Sequence, residues 1–185
     1  MESGEEGLAQ REGAMKRVLL WMLVVIVVGL GALWVLGGRT HTLTTGTTIA
    51  APPEKVWVYI TDKDKLLLWI EGLKASTPVT TDGLRVGAKS VETIEKDGQI
   101  YNMDSEVLRV EAPRLLELRF VMGGAGTMVA TYELVSDGSQ TRVNLKEAVQ
   151  SHGWFRLFAP FIGGAIQKTL DADMANLKRV VEERQ

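Results

Sequence analysis

Residues 49–62 read IAAPPEKVWVYITD. The stretch begins as a strand-like run, meets two prolines, and leaves them in a different period. Pro53 suits the first turn of a helix, where its missing N–H has no partner to lose. Val56, Tyr59 and Ile60 then fall at i, i+3 and i+4, one apolar stripe on a short helix. Upstream, residues 40–50 (THTLTTGTTIA) are rich in β-branched side chains and predict a first strand. Downstream, Asp62 is placed to cap a second short helix over 63–70, and Gly72 to stop it. The stretch is a strand-to-helix switch at the front of a mixed domain.

After this switch the chain turns to hairpins. Strands are predicted over 73–81, 88–96, 100–110, 115–122, 127–135 and 141–150. Asp82-Gly83, Asp97-Gly98 and Asp137-Gly138 mark turns, and the Asp97-Gly98 pair is the strongest hairpin signal. Gly123-Gly124-Ala125-Gly126 is a flexible connection between strands. It lacks the lysine and following helix that a phosphate loop requires. With the first strand this gives about seven strands, mostly antiparallel. The apolar parity changes near Leu108, which predicts a bulge. From Phe158 the period becomes helical, through Phe161, Ile162, Ala165, Ile166, Leu170, Met174, Leu177 and Val181. Gln167, Lys168, Asp171, Lys178 and Glu182 are assigned to the solvent side of that helix.

This order resembles the START-like (SRPBCC, Bet v 1-like or helix-grip) superfamily, in its polyketide cyclase/dehydrase and lipid-transport branch. The residues that carry the resemblance run from Ile49 through Ala51-Pro52-Pro53-Glu54-Lys55-Val56-Trp57, then Asp62 and Trp69. Gly87, Glu111-Ala112-Pro113-Arg114-Leu115 and Gly138-Ser139-Gln140-Thr141-Arg142-Val143 continue it. The resemblance implies an α+β fold in which a curved antiparallel sheet grips the long C-terminal helix. Inward side chains of both would then line a ligand cavity. It also implies that the first strand pairs with the last.

The amino-terminal region is of another kind. Residues 18–38 hold 21 residues without a charge, enough to cross a hydrocarbon layer of about 30 Å. Trp21 and Trp34 sit near the two ends, where indole rings favour the interface. The run is long for a secretory signal and is followed by no small-residue cleavage pattern, so an uncleaved anchor is expected. Arg11, Lys16 and Arg17 precede it and Arg39 alone follows closely. This favours a cytoplasmic N-terminus and an extracytoplasmic domain. Residues 1–17 are polar and read as a disordered tail, leaving 39–185 as the domain. That domain carries 18 Lys and Arg against 19 Asp and Glu, a net of −1, with no basic stripe for nucleic acid.

Strand alternation names the candidate cavity wall. Trp69, Tyr101, Met103, Phe120, Met122 and Met128 are expected on it, with Ala130, Tyr132 and Leu145. From the helix, Phe158, Phe161, Ile162, Ala165, Ile166 and Leu170 join them. Three methionines suit an apolar surface that must adapt its shape. Gly163-Gly164 removes side-chain volume from the helix, either for a ligand or for close helix–sheet contact. With no cysteine and two histidines, His41 and His152, no metal set or nucleophilic triad assembles, and no cofactor is called for. Glu147 is the one carboxylate on an apolar face. With Tyr101 and Tyr132 it forms a catalytic candidate; a place at the end of its strand, in water or paired with an arginine, is the simpler expectation. The overall expectation is a membrane-anchored binder of a lipid or apolar small molecule. A protein-interaction module with a collapsed cavity, or a cyclase- or dehydratase-type enzyme, is the alternative.

Overall fold

The computed structural model describes the backbone of residues 2–183 and the side chains of residues 15–183. Helix α1 spans Glu2–Gly37, so residues 2–17, expected as a disordered tail, carry helical backbone. Within α1, Met15–Gly37 is long and apolar enough to cross a membrane, and its most apolar stretch is not buried by the domain.

Strand β1 (His41–Ile49) gives way at the two prolines to α2 (Pro53–Thr61), whose buried stripe is Val56, Tyr59 and Ile60. The Asp62 side chain then accepts from the amides of Asp64 and Lys65. The helix it caps, α3 (Lys63–Leu66), is only one turn, shorter than expected. The chain continues in turns that deliver Trp69 to the core, where its Nε1 donates to the Tyr59 carbonyl at 2.9 Å. Tertiary anchoring of Trp69 outweighs the weak preference of such a short segment for helix.

The remaining strands are β2 (Leu73–Pro78), β3 (Lys89–Lys96), β4 (Gln99–Glu111), β5 (Leu115–Val121), β6 (Gly126–Asp137) and β7 (Gln140–Ser151). They form one antiparallel sheet in the order β1-β7-β6-β5-β4-β3-β2. Asp97 and Gly98 both have positive φ, as the tight β3–β4 hairpin demands. The bulge lies between Val107 and Arg109, as the parity change predicted. His41 pairs with Val149 and Ile49 with Thr141, so the first strand lies against the last.

Helix α4 (Ala159–Glu183) closes the grip. Leu170, Met174, Leu177 and Val181 are buried with Ile49, Val56, Leu116, Leu134 and Val143. Gln167, Asp171, Lys178 and Glu182 stay accessible to solvent, as expected, and have a further task there. Gln167 Nε2 donates to the Thr44 carbonyl, Lys178 Nζ to the Thr48 carbonyl, and Thr45 Oγ1 to Asp171 Oδ1. Glu182 Oε1 accepts from the amide of Ala50. These bonds occupy the open edge of β1, which would otherwise offer unpaired backbone groups to another strand.

Candidate functional site

Register fixes what faces α4. Glu147 pairs with Leu43 on one side and Ala130 on the other, and Ala130 with Leu118. Tyr132 pairs with Leu145 and Leu116; Met128 pairs with Val149 and Phe120; Ser105 pairs with Phe120 and Ser90. All of these share the concave side of the sheet. At one end the concave side is filled. Trp69 stands edge-on to Tyr132 at 6.4 Å, with Met174 and Leu177 packed above.

At the other end it is open. A helix turns about 100° per residue, so position 163 shares the stripe of Leu170, Met174, Leu177 and Val181. A Cβ at Gly163 would meet nothing within 4 Å. On the sheet, Leu118, Phe120 and Met128 are only half-buried, although they belong to the inner face. Two shallow depressions of about 300 and 450 Å³ lie elsewhere, on the outer side of α4 and on the convex side of the sheet. Neither gathers acid–base chemistry around an apolar wall.

Glu147 lies where the filled and open ends meet. It is 6% exposed, and no arginine or lysine among the described residues stands beside it, against the expectation of a place in water or an arginine partner. Burial, and then the charge of Asp173, push its pKa up to about 7. Asp173 is also buried, and its pKa rises to about 6, chiefly through desolvation. Its Oδ1 accepts the Glu71 amide at 2.8 Å, which partly restrains that rise. Tyr132 is held firmly neutral, first by burial and then by the charges of these two acids. A second polar cluster lies near the other flank of the sheet. Ser90 Oγ donates to Glu92 Oε1 at 2.7 Å and stands 2.6 Å from Ser105 Oγ.

The expected wall is therefore brought together in part. Trp69, Ala130, Tyr132, Leu145 and Leu170 are buried there; Met103, Phe120, Met122, Met128 and Ile166 line its less covered portion. Tyr101 does not join Glu147. It is 50% exposed, its hydroxyl donates to Gln99 Oε1, and three strand spacings, roughly 14 Å, separate β4 from β7. Phe161 and Ala165 are exposed on the far side of α4, Ile162 is exposed on its flank, and Phe158 is exposed just before the helix. Helical spacing had grouped them with Leu170, but the sheet covers a narrower stripe than the apolar residues occupy. Asp173 and Glu92 were missed. The signal for Asp173 was its position three after Leu170 and four before Leu177, which places it beside the inner stripe.

The open end adjoins α1. A Cβ at Gly37 would run into the Arg156 carbonyl oxygen, so only glycine allows this approach. The Arg156 guanidinium stacks over Trp34 at 5.5 Å, and Trp34 meets Trp154 edge-on at 6.5 Å. The 3-10 turn Gly153–Leu157, which leads into α4, is thus docked on the end of the apolar helix.

Comparison with known proteins agrees with this architecture. Residues 40–182 match the family described as polyketide cyclase / dehydrase and lipid transport. The chain belongs to that family. Among curated proteins, none matches this chain. Among solved structures, the ZhuI aromatase/cyclase from a Streptomyces species is similar, with TM-score 0.66 and 13% identity over 79% of this chain and 96% of that one. Ara h 8.0201 gives TM-score 0.62 and 14% identity over 77% and 97%. A protein from Thermus thermophilus gives 0.61 and 20% over 78% and 96%. At such identities the likeness concerns the fold, a Bet v 1-like sheet and helix.

Proposed function

We propose that this protein is a membrane-anchored binder of a lipid or other apolar small molecule, held between the concave sheet and the first half of α4. Open space at Gly163, on the buried stripe of α4, together with the half-buried inner-face residues Leu118, Phe120 and Met128, is the observation that carries this reading. It favours a binding domain over an interaction module with a filled core. Met15–Gly37 serves as the anchor, and the Gly37–Arg156 contact sets the open end against the bilayer. Trp154, Phe155, Phe158 and Phe161 then lie in the interfacial layer, where aromatic rings are favoured. A ligand entering there would not cross water. The basic residues before the span favour a domain outside the cytoplasm, which protease accessibility in spheroplasts would check.

A neutral alkyl probe bearing a diazirine, added to the full chain in nanodiscs, tests the binding reading. Labelling of Phe120 and Met128 is expected alongside that of α1. Labelling confined to α1 would overturn the reading. Catalysis is the second reading, favoured by one observation: a buried carboxyl with a pKa of about 7 is suited to move protons at neutral pH. It requires that Glu147→Gln abolish turnover of a bound substrate.

A further inference from the structure

The buried carboxyl groups carry more information than an apolar cavity needs. An ionised carboxylate removed from water without a partner is costly, and folded chains pair such groups or leave them out. Among the described residues Glu147 has no hydrogen-bond or ion-pair partner, and Asp173 has one backbone amide. The shortage recurs on the same concave side. Glu92 is 8% exposed, its Oε1 is held by Ser90 and Ser105, and its buried Oε2 has no partner. No lysine or arginine among the described residues approaches Glu147 or Asp173 closely enough to favour the charged form of either. A cationic group entering the gap would give Glu147 and Asp173 donors that the chain does not supply, whereas Glu92 lies four strands from Glu147.

We propose that the gap takes an amphiphile whose head is a protonated amine, seated between Glu147 and Asp173. Its hydrocarbon body lies along Leu118, Phe120 and Met128 toward the membrane side. This rests on the reading of the gap as a ligand site and names the ligand's chemistry. The placement fits on three counts. Ala130, directly opposite Glu147, presents only a methyl group to it. Tyr132 and Trp69 close the site beyond it, so a head that arrives from the open end stops there. The acids come from two elements, β7 and α4, so the head would also tie the helix to the sheet at the edge of the open half.

The experiment uses the full chain in nanodiscs and the same neutral diazirine probe. Dodecylamine, dodecanol and dodecanoic acid compete for labelling of Phe120 and Met128, compared at equal membrane-bound concentrations. Dodecylamine should displace the probe at a concentration at least about tenfold lower than dodecanol, with dodecanoic acid the weakest, since a desolvated charge pair adds more than a neutral hydrogen bond. The amine-to-alcohol ratio, measured within each variant, should fall toward one in Glu147→Gln and in Asp173→Asn. Should a variant fail to fold, the unmodified chain gives an independent reading. Lowering the pH from about 8 to about 5 protonates Glu147 and Asp173, and the amine advantage should shrink. His41, Tyr132 and Glu71 also face this region. Tyr132 stays neutral throughout. Glu71 acts on Asp173 through its amide and, more weakly, through its carboxylate charge. Equal competition by all three compounds, or an amine advantage that survives both substitutions and low pH, would overturn the proposal while leaving apolar binding intact. Absence of wall labelling by the probe itself would remove the binding reading as a whole.

Discussion

The two halves of α4 have similar apolar content and opposite fates. From Leu170 onward the helix buries Leu170, Met174, Leu177 and Val181 against the sheet, and its polar residues clasp the edge of β1. Before Ile166 it exposes Phe161 at 72% and Ile162, and Gly163 faces open space. One half of the helix stabilises the domain; the other leaves surface for something else to cover. A shared period does not make a shared role. The helix is anchored at its end by the core and at its start by the docked turn Gly153–Leu157, with the gap between.

The largest effect expected of this contrast is on stability. Leu177→Ala should cost about 2–5 kcal/mol, as truncation of a fully buried leucine does, whereas Phe161→Ala should change the melting temperature little in detergent. Equal losses would mean that both halves are packed and would break the comparison. The next effect is on pH dependence. The folded-state pKa of Glu147 is raised from an ordinary 4.5 to about 7, so the folded chain holds a proton that the unfolded chain releases. That contribution is complete below about pH 4.5 and is lost as the pH rises toward 7. Asp173 acts with the same sign at lower pH. Ligand-free protein should lose stability on the order of 2 kcal/mol across this window through Glu147. Glu147→Gln should remove most of that decline in denaturant titrations run at about pH 5 and about pH 8. A smaller effect sharpens the contrast at the helix start. Gly163→Ala has space for its methyl and a better helix former, so it should gain up to about 1 kcal/mol. Gly163→Leu should fill the gap and abolish labelling of Phe120 and Met128. Destabilisation by Gly163→Ala would show that the space is not open.

Much of this was legible in the chain. The prolines at 52 and 53 place α2, Asp97-Gly98 places the β3–β4 hairpin, and the parity change near Leu108 locates the bulge, because each depends on backbone preferences of adjacent residues. Alternation likewise put Met128, Ala130, Tyr132 and Leu134 on one face, since a strand has no other period available. The length and apolarity of α1 were equally plain.

What the sequence could not settle is which of two available apolar surfaces is covered. The sheet covers only part of the apolar arc of α4, and the helix's crossing over the sheet selected Leu170, Met174 and Leu177 rather than Phe158 and Phe161. The same crossing brought the charge of Asp173 within reach of Glu147, and it let Gln167, Asp171, Lys178 and Glu182 bond the edge of β1 while staying accessible to solvent. Local sequence sets periodicity, capping and turn chemistry because those forces act between neighbours in the chain. The meeting of two carboxylates from separate elements, and the seating of Gly37 on Arg156, depend on distances that exist only after the sheet has curved around the helix.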